Sequence, residues 1–547
     1  MDCLAQYNAI EGLSGDGREV QIFSTSIDEQ DKETARSRHI SELPSWLEAD
    51  GSSAVIYHWR DGNPGFDAIF RGLNARKIIR WHNNTPPWFF VPYAASCTAN
   101  TLRGFHAIRD FVGTDAEFWA NSAYSGQQLV TLGAAPDRVR VIYPLSPILS
   151  AARHEEPAAC PQLLQFVPNP RHPLRMLFVG RFVPHKGHRH LVATAALVQQ
   201  ITGSPVEVNL VGRSDPAMQR YVDEVHALAH ELKVTLLDHG ELPDAALEAT
   251  YRRCDVFLQL SEHEGFGLPT LEAMRFDLPV VGVRIAATAE CLARHPLSFD
   301  HFDYATLARA VIATTVPGIR AAVLRWQRHD LAARYPTSLA SRQIESALFR
   351  TPAPEVSLAS PDTAAEAAIE AALSSAPPGS AVPESLSARL RTIPAEASGR
   401  FVTLHDLNAY ATLLQSPAEP NADLYKRVWR QGFPKKRRLP SKIFRMFRRF
   451  VLSLNFGIVA AIDEARRATD TRINRLSSEV GALKEENARI LQKLDQMTEE
   501  RPSRKASEEP VAVPMAAHLP TFPHQRGPEL EGVPSRNGST GIVVTGR

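Results

Sequence analysis

Residues 255–283 read DVFLQLSEHEGFGLPTLEAMRFDLPVVGV. Asp255 to Leu260 is a short apolar run of strand type. Ser261-Glu262-His263-Glu264 follows, then a Gly265-Phe266-Gly267 turn, then Pro269 opening a helix whose early turns carry Glu272. Pro279 to Val283 is a second buried strand. A strand that turns through glycines into a helix start is a physical anion site. Unpaired backbone N–H groups and the positive end of the helix dipole converge there, and glycine lets an anion approach the backbone closely. Glu264 and Glu272 stand on either side, acceptors suited to the hydroxyls of a sugar and a ribose. A diphosphate between two polyols is a nucleotide sugar.

Strand–helix alternation extends in both directions from this block. Upstream, Arg175–Arg181 reads as a strand, GRFVPHKG at 180–187 as a loop, and about His188 to Gln200 as a helix. Strands at Val206–Val211 and Val234–Leu237 and a helix at Asp244–Arg253 follow. Further back, candidate strands at Glu19–Ser24, Ala54–His58, Lys77–His82 and Val139–Tyr143 argue for another parallel α/β sheet. Two of them end in histidine, AVIYHWR at His58 and KIIRWHNNTPP at His82. In open parallel sheets the ligand crevice lies beyond the carboxyl ends of the strands, so both imidazoles are placed to face a site.

The central block resembles the donor-site signature of retaining glycosyltransferases of the GT-B fold, family 4 (glycosyl transferases group 1). The family pattern is Glu, seven residues, Glu, which Glu264 and Glu272 fit. Residues Trp81 to Pro87 are similar to an HN-x-TPP motif of bacterial cell-wall and polysaccharide glycosyltransferases. GTDAEFWANSAYSGQQLVTLG at 113–133 also matches, with an Asn-Ser pair between strand and helix and Gly133 as the helix stop. The resemblance implies two Rossmann-like domains facing a cleft. Glu264 would bind the donor sugar, Glu272 the ribose, and Arg181 and Lys186 the diphosphate, with Gly265, Phe266, Gly267 and Leu268 cradling the donor. His82 would sit by the reacting sugar; His58 and Glu290 are secondary candidates. Two cations aimed at the leaving diphosphate lower the barrier as its charge grows. The donor expected is a UDP- or GDP-sugar, with no metal and no cofactor.

The 547 residues have room for about three domains, and the net charge of +1 sets up no field that points to nucleic acid. Five scattered cysteines (Cys3, Cys97, Cys160, Cys254, Cys291) lack metal-like spacing and fit a reducing compartment. With neither a signal peptide nor a membrane span apparent, the reading is cytoplasmic, or peripheral on the inner face of the cytoplasmic membrane. The chain opens inside what reads as a helix, around Cys3 to Leu13. The first strand and Gly-rich loop of the family are therefore expected to be missing, leaving the middle of the first sheet unfilled; a start further upstream is the simpler reading.

The divisions expected are 1–165 for the acceptor-side domain, with a crossing helix at 336–350 returning to it, and 166–335 for the nucleotide-sugar domain. Residues 351–398 form a linker rich in Pro, Ala and Ser, with a possible short helix at Thr363–Leu373. Residues 399–462 form a basic amphipathic segment. Lys426 to Arg449 carries eleven Lys/Arg and no acid, and Ile443, Phe447, Val451, Leu454 and Ile458 recur at helical spacing. This stretch, through 426–462, suits an anionic membrane surface; docking on the catalytic core or binding RNA are the alternatives. At 463–500 a coiled coil is expected. Ile473, Val480, Asn487 and Leu494 occupy one core position and Leu476, Leu483, Ile490 and Met497 the other, so 473–497 reads as a parallel homodimer; a helix packing on its own chain is the alternative. Residues 501–547 read as a disordered tail.

The activity expected is transfer of a hexose, with retention, from a nucleoside-diphosphate sugar to a saccharide or lipid-linked acceptor in envelope biosynthesis. The alternative is a non-catalytic scaffold whose basic helix and coiled coil recruit partners. Nucleic-acid binding is a third, weaker reading.

Overall fold

The structure is a computed structural model that describes residues 2–13, 19–25, 37–150, 173–352, 354, 363–375, 383–393, 399–415 and 540–545. The strands, in chain order, are β1 (Glu19–Ser24), β2 (Ser37–His39), β3 (Ala54–Trp59), β4 (Arg76–Trp81), β5 (Glu117–Ala120) and β6 (Val139–Val141) in the first half. The second half holds β7 (Leu174–Val179), β8 (Val206–Val211), β9 (Thr235–Asp238), β10 (Val256–Gln259), β11 (Val280–Val283) and β12 (Ser298–Phe299), and β13 (Thr540–Thr545) comes at the end of the chain.

The second sheet has the order β12-β11-β10-β7-β8-β9, every pair parallel. Such a sheet needs helices on both faces, and its strands β10 and β11 are accordingly buried along their whole length. Met176 and Phe178 pack with the helix His188–Thr202 on one face. Leu177 and Phe257 pack with Leu271 and Met274 on the other.

The first sheet has the order β2-β1-β13-β3-β4-β5-β6. On β3, Val55, Tyr57 and Trp59 enter one core with Phe66 and Phe111, while Ala54 and Ile56 enter another with Tyr7, Ile22 and Ile344. The expected gap in this sheet is occupied. β13 lies antiparallel between β1 and β3, pairing Ile542 with both Ile22 and Ile56, and Ile542 is fully buried. This corrects the reading of the tail: Ile542 joins a buried core, and pairing on both edges satisfies the strand's backbone.

The helix Leu339–Phe349 crosses back to the first half as expected, burying Ile344 and Ala347 there. Arg76 fixes its end, donating to the carbonyls of Ala347 (2.7 Å) and Leu348 (2.5 Å) while held by Glu117 (2.6 Å). The stretch read as linker contains helices Thr363–Ser375 and Glu384–Arg391; Ile369, Leu390 and Ile393 are buried in the second half's core. Its Ala-rich composition concealed a short apolar stripe. Helix Leu404–Gln415 docks through Val402, Leu407 and Tyr410 on the first half, so residues 399–415 separate from the basic segment they were grouped with. The remainder of that segment and the heptads lie outside the described residues. Among the described residues no single helix is long and apolar enough to cross a membrane.

Candidate functional site

A cleft of about 310 Å³ opens where the carboxyl ends of the two sheets face each other. From the first half it is lined by His82, Asn83, Thr85, Asn121 and Pro144, and from the second by Arg181, His185, Lys186, His263, Glu264 and Gly265 to Pro269.

The glycine turn forms as its sequence requires. Gly267 has φ 111°, and it caps the helix Leu268–Arg275, with Pro269 in the first turn. Gly265 sits against the first half: a Cβ there would lie 2.9 Å from the His82 carbonyl oxygen. Its own carbonyl accepts from the Ser122 and Ser125 hydroxyls (2.9 and 3.0 Å), and the Phe266 carbonyl accepts from the Cys291 thiol (3.0 Å). In a trans peptide the next N–H points the opposite way, so pinning these carbonyls orients the N–H groups of Phe266 and Gly267.

Lys186 and Glu264 both line the cleft, and Lys186 Nζ donates to Glu264 Oε1 at 2.6 Å. The Arg181 guanidinium makes no hydrogen bond or ion pair to the described residues. The residue is exposed, yet the protein surrounding its charged end and the charge of Arg60 lower its pKa. A cation in that state gains from an incoming anion.

His82 follows β4 and lines the cleft; His58 lies on β3 behind it, buried. Their rings stack with centroids 5.2 Å apart, and His58 Nδ1 is 3.0 Å from His82 Nε2.

Glu272 does not reach the cleft lining. Its carboxylate is buried and accepts from the Ser146 and Tyr251 hydroxyls (2.7 and 3.0 Å); burial raises its pKa. Glu290 is likewise outside the lining. It accepts from the Ala123 N–H at 2.7 Å, joining the two halves, and burial raises its pKa.

Asn83, His185 and His263 also line the cleft; each lies in a stretch quoted from the sequence, Asn83 in the HN-x-TPP motif, but none is given a role there. Asn83, at φ 63°, donates to the Glu264 carbonyl (3.3 Å) and lies 3.4 Å from His263 Nε2. Burial drops the His263 pKa to about 4, so its neutral ring can accept that bond. Asn83's place in the HN-x-TPP motif, next to His82, was the available clue.

Residues 163–314 match the family model "Glycosyl transferases group 1". An uncharacterized 41.2 kDa protein in the cps region of Klebsiella pneumoniae is 25% identical over 245 residues, 43% of this chain and 62% of that protein. The serotype-specific mannosyltransferase WbdA of Escherichia coli is 37% identical over 76 residues, 14% of this chain and 9% of that one. This chain thus spans less than two thirds of the length of these curated relatives. Among solved structures, WaaG, a glycosyltransferase involved in lipopolysaccharide biosynthesis, aligns at 13% identity and TM-score 0.44, covering 64% of this chain and 95% of WaaG. Anabaena Alr3699/HepE, solved with UDP and glucose, aligns at 19% identity and TM-score 0.40, covering 52% and 74%. Two α/β halves thus face one cleft, and residues 163–314, which supply its Arg181, Lys186 and Glu264 wall, are the part of the chain that resembles the glycosyl transferases group 1 family.

Proposed function

We propose that the protein transfers a hexose from a UDP- or GDP-sugar to a saccharide or lipid-linked acceptor in envelope polysaccharide assembly, with retention of anomeric configuration. The observation that carries this reading is the uncommitted Arg181 guanidinium beside the Gly265–Leu268 turn in one cleft. As the glycosidic bond breaks, charge accumulates on the leaving diphosphate. Arg181, Lys186 and the oriented amides would stabilise that charge more than they stabilise the intact donor. Glu264 would accept from hydroxyls of the transferred sugar, and His82 would meet it from the opposite wall. Glu272 could bind a ribose once Ser146 releases it. No metal is invoked. The setting we propose is cytoplasmic, or peripheral on the inner face of the cytoplasmic membrane.

Hydrolysis of UDP- and GDP-hexoses by the full chain tests the proposal. Turnover that is lost in Glu264→Ala and Lys186→Ala supports it. No turnover of any UDP- or GDP-hexose would favour the scaffold reading instead.

A further inference from the structure

We propose that His58 is a positioning residue that sets the protonation of His82, and so decides whether His82 offers a bound sugar a proton donor or an acceptor. The inference rests on the glycosyl-transfer reading of the cleft. His58 is 6% exposed and is not part of the cleft lining, so it acts through its neighbour. Parallel pairing of β3 with β4 places Trp59 beside Trp81, and the His82 N–H donates to the Trp59 carbonyl at 3.2 Å. That bond holds the two imidazoles in register at the sheet's carboxyl edge.

A 3.0 Å separation between His58 Nδ1 and His82 Nε2 holds one proton. Two N–H groups or two lone pairs facing each other at this distance would repel. In one arrangement His58 Nδ1–H donates to His82 Nε2, and a neutral His82 then carries its hydrogen on Nδ1. In the other, His82 Nε2–H donates to His58, and Nδ1 of a neutral His82 is an acceptor. A doubly protonated pair would place like charges in contact and is disfavoured.

The charged groups around the pair come from several elements. Arg60 and Asp61 follow β3 and pair loosely with each other at 4.0 Å, and Arg80 is the β4 residue in register with His58. Lys186 and Glu264 lie across the cleft and largely neutralise each other, and His263 is held neutral. β13 brings no charge to the pair; Thr540 is its residue in register with His58.

Three variants and one spectrum test the inference. His58→Phe is expected to lower kcat for donor hydrolysis by about 10- to 100-fold, with donor KM changed by less than about threefold, and to shift the pH–rate profile. His58→Gln, which keeps a hydrogen-bonding side chain, is expected to recover part of the loss. The His58→Phe, His82→Gln double variant is expected to be no slower than His82→Gln alone. Multiplicative losses in the double variant, or an unchanged pH profile, would overturn the inference. Selective ¹⁵N-histidine NMR of the donor-free chain gives a readout independent of turnover. The His82 nitrogen shifts should report one dominant tautomer that becomes mixed in His58→Phe; an unaltered His82 tautomer would overturn the inference, even if the chain turned over no donor.

Discussion

Lys186 Nζ and Glu264 Oε1 lie 2.6 Å apart in the cleft, each side chain less than 15% exposed. The cation assigned to the diphosphate and the acid assigned to the sugar therefore hold each other before any donor arrives. Removing one partner leaves the other charge largely buried and unpaired, whereas removing both does not. Lys186→Ala and Glu264→Ala are each expected to lower kcat/KM for the donor by about 10²- to 10³-fold. The double variant should fall well short of the product of the two losses. Steady-state kinetics on the three variants check this; fully multiplicative losses would show that the pair is uncoupled.

Gly265 is the point where the donor turn touches the opposite half. A Cβ there would stand 2.9 Å from the His82 carbonyl, so Gly265→Ala must push the halves apart by a few tenths of an ångström. Donor affinity should fall by about tenfold or more while the melting temperature changes little, because the clash lies in the cleft rather than in either core. Donor titration alongside calorimetry separates these outcomes.

Burial holds several histidines neutral far below their ordinary range, His188 to about 3 and both His263 and His295 to about 4. In the unfolded chain these rings protonate near pH 6.5, so below that the unfolded state binds more protons than the folded one. Stability is therefore full above about pH 6.5 and is lost as pH falls toward 4, by about 1.4 kcal/mol per pH unit for each ring. His295 lies away from the cleft, bonded to Gln327 at 3.0 Å. His295→Asn should flatten the pH dependence by one proton's worth, read from urea midpoints between pH 4.5 and 7.

β13 supplies Ile542 to a core shared with Ile22, Ile56 and Tyr7. Ile542→Asp would bury a carboxylate there and is expected to destabilise the first half by about 3 kcal/mol or more. Hydrogen exchange should accelerate in β1 and β3, with β7 and β10 unaffected. Unchanged protection in β1 and β3 would place the strand elsewhere.

The strand ends and glycine turns of the site were legible because each is local. DVFLQL, GFGLP and GRFVPHKG carry their geometry within a few residues, and the cleft assembles Arg181, Lys186 and Glu264 as the pattern implied. Contacts between distant segments were not legible. Nothing around Glu272 announces that Ser146, from the connection between the halves, will occupy its carboxylate, nor does Glu290 show that it will bind Ala123. β13 was hidden for the same reason. A six-residue strand gives little periodicity, and its place in the sheet depends on two partners hundreds of residues away.

The central claim is that a nucleoside diphosphate seats its phosphates against Arg181 and the Gly265–Leu268 turn. Calorimetric titration of UDP and GDP into the full chain and into Arg181→Ala tests it most directly. The account predicts that one of the two nucleotides binds the unaltered chain and that Arg181→Ala weakens it by about 10- to 100-fold, the worth of a charged hydrogen bond. Binding of neither nucleotide, or binding that Arg181→Ala leaves unchanged, would contradict it.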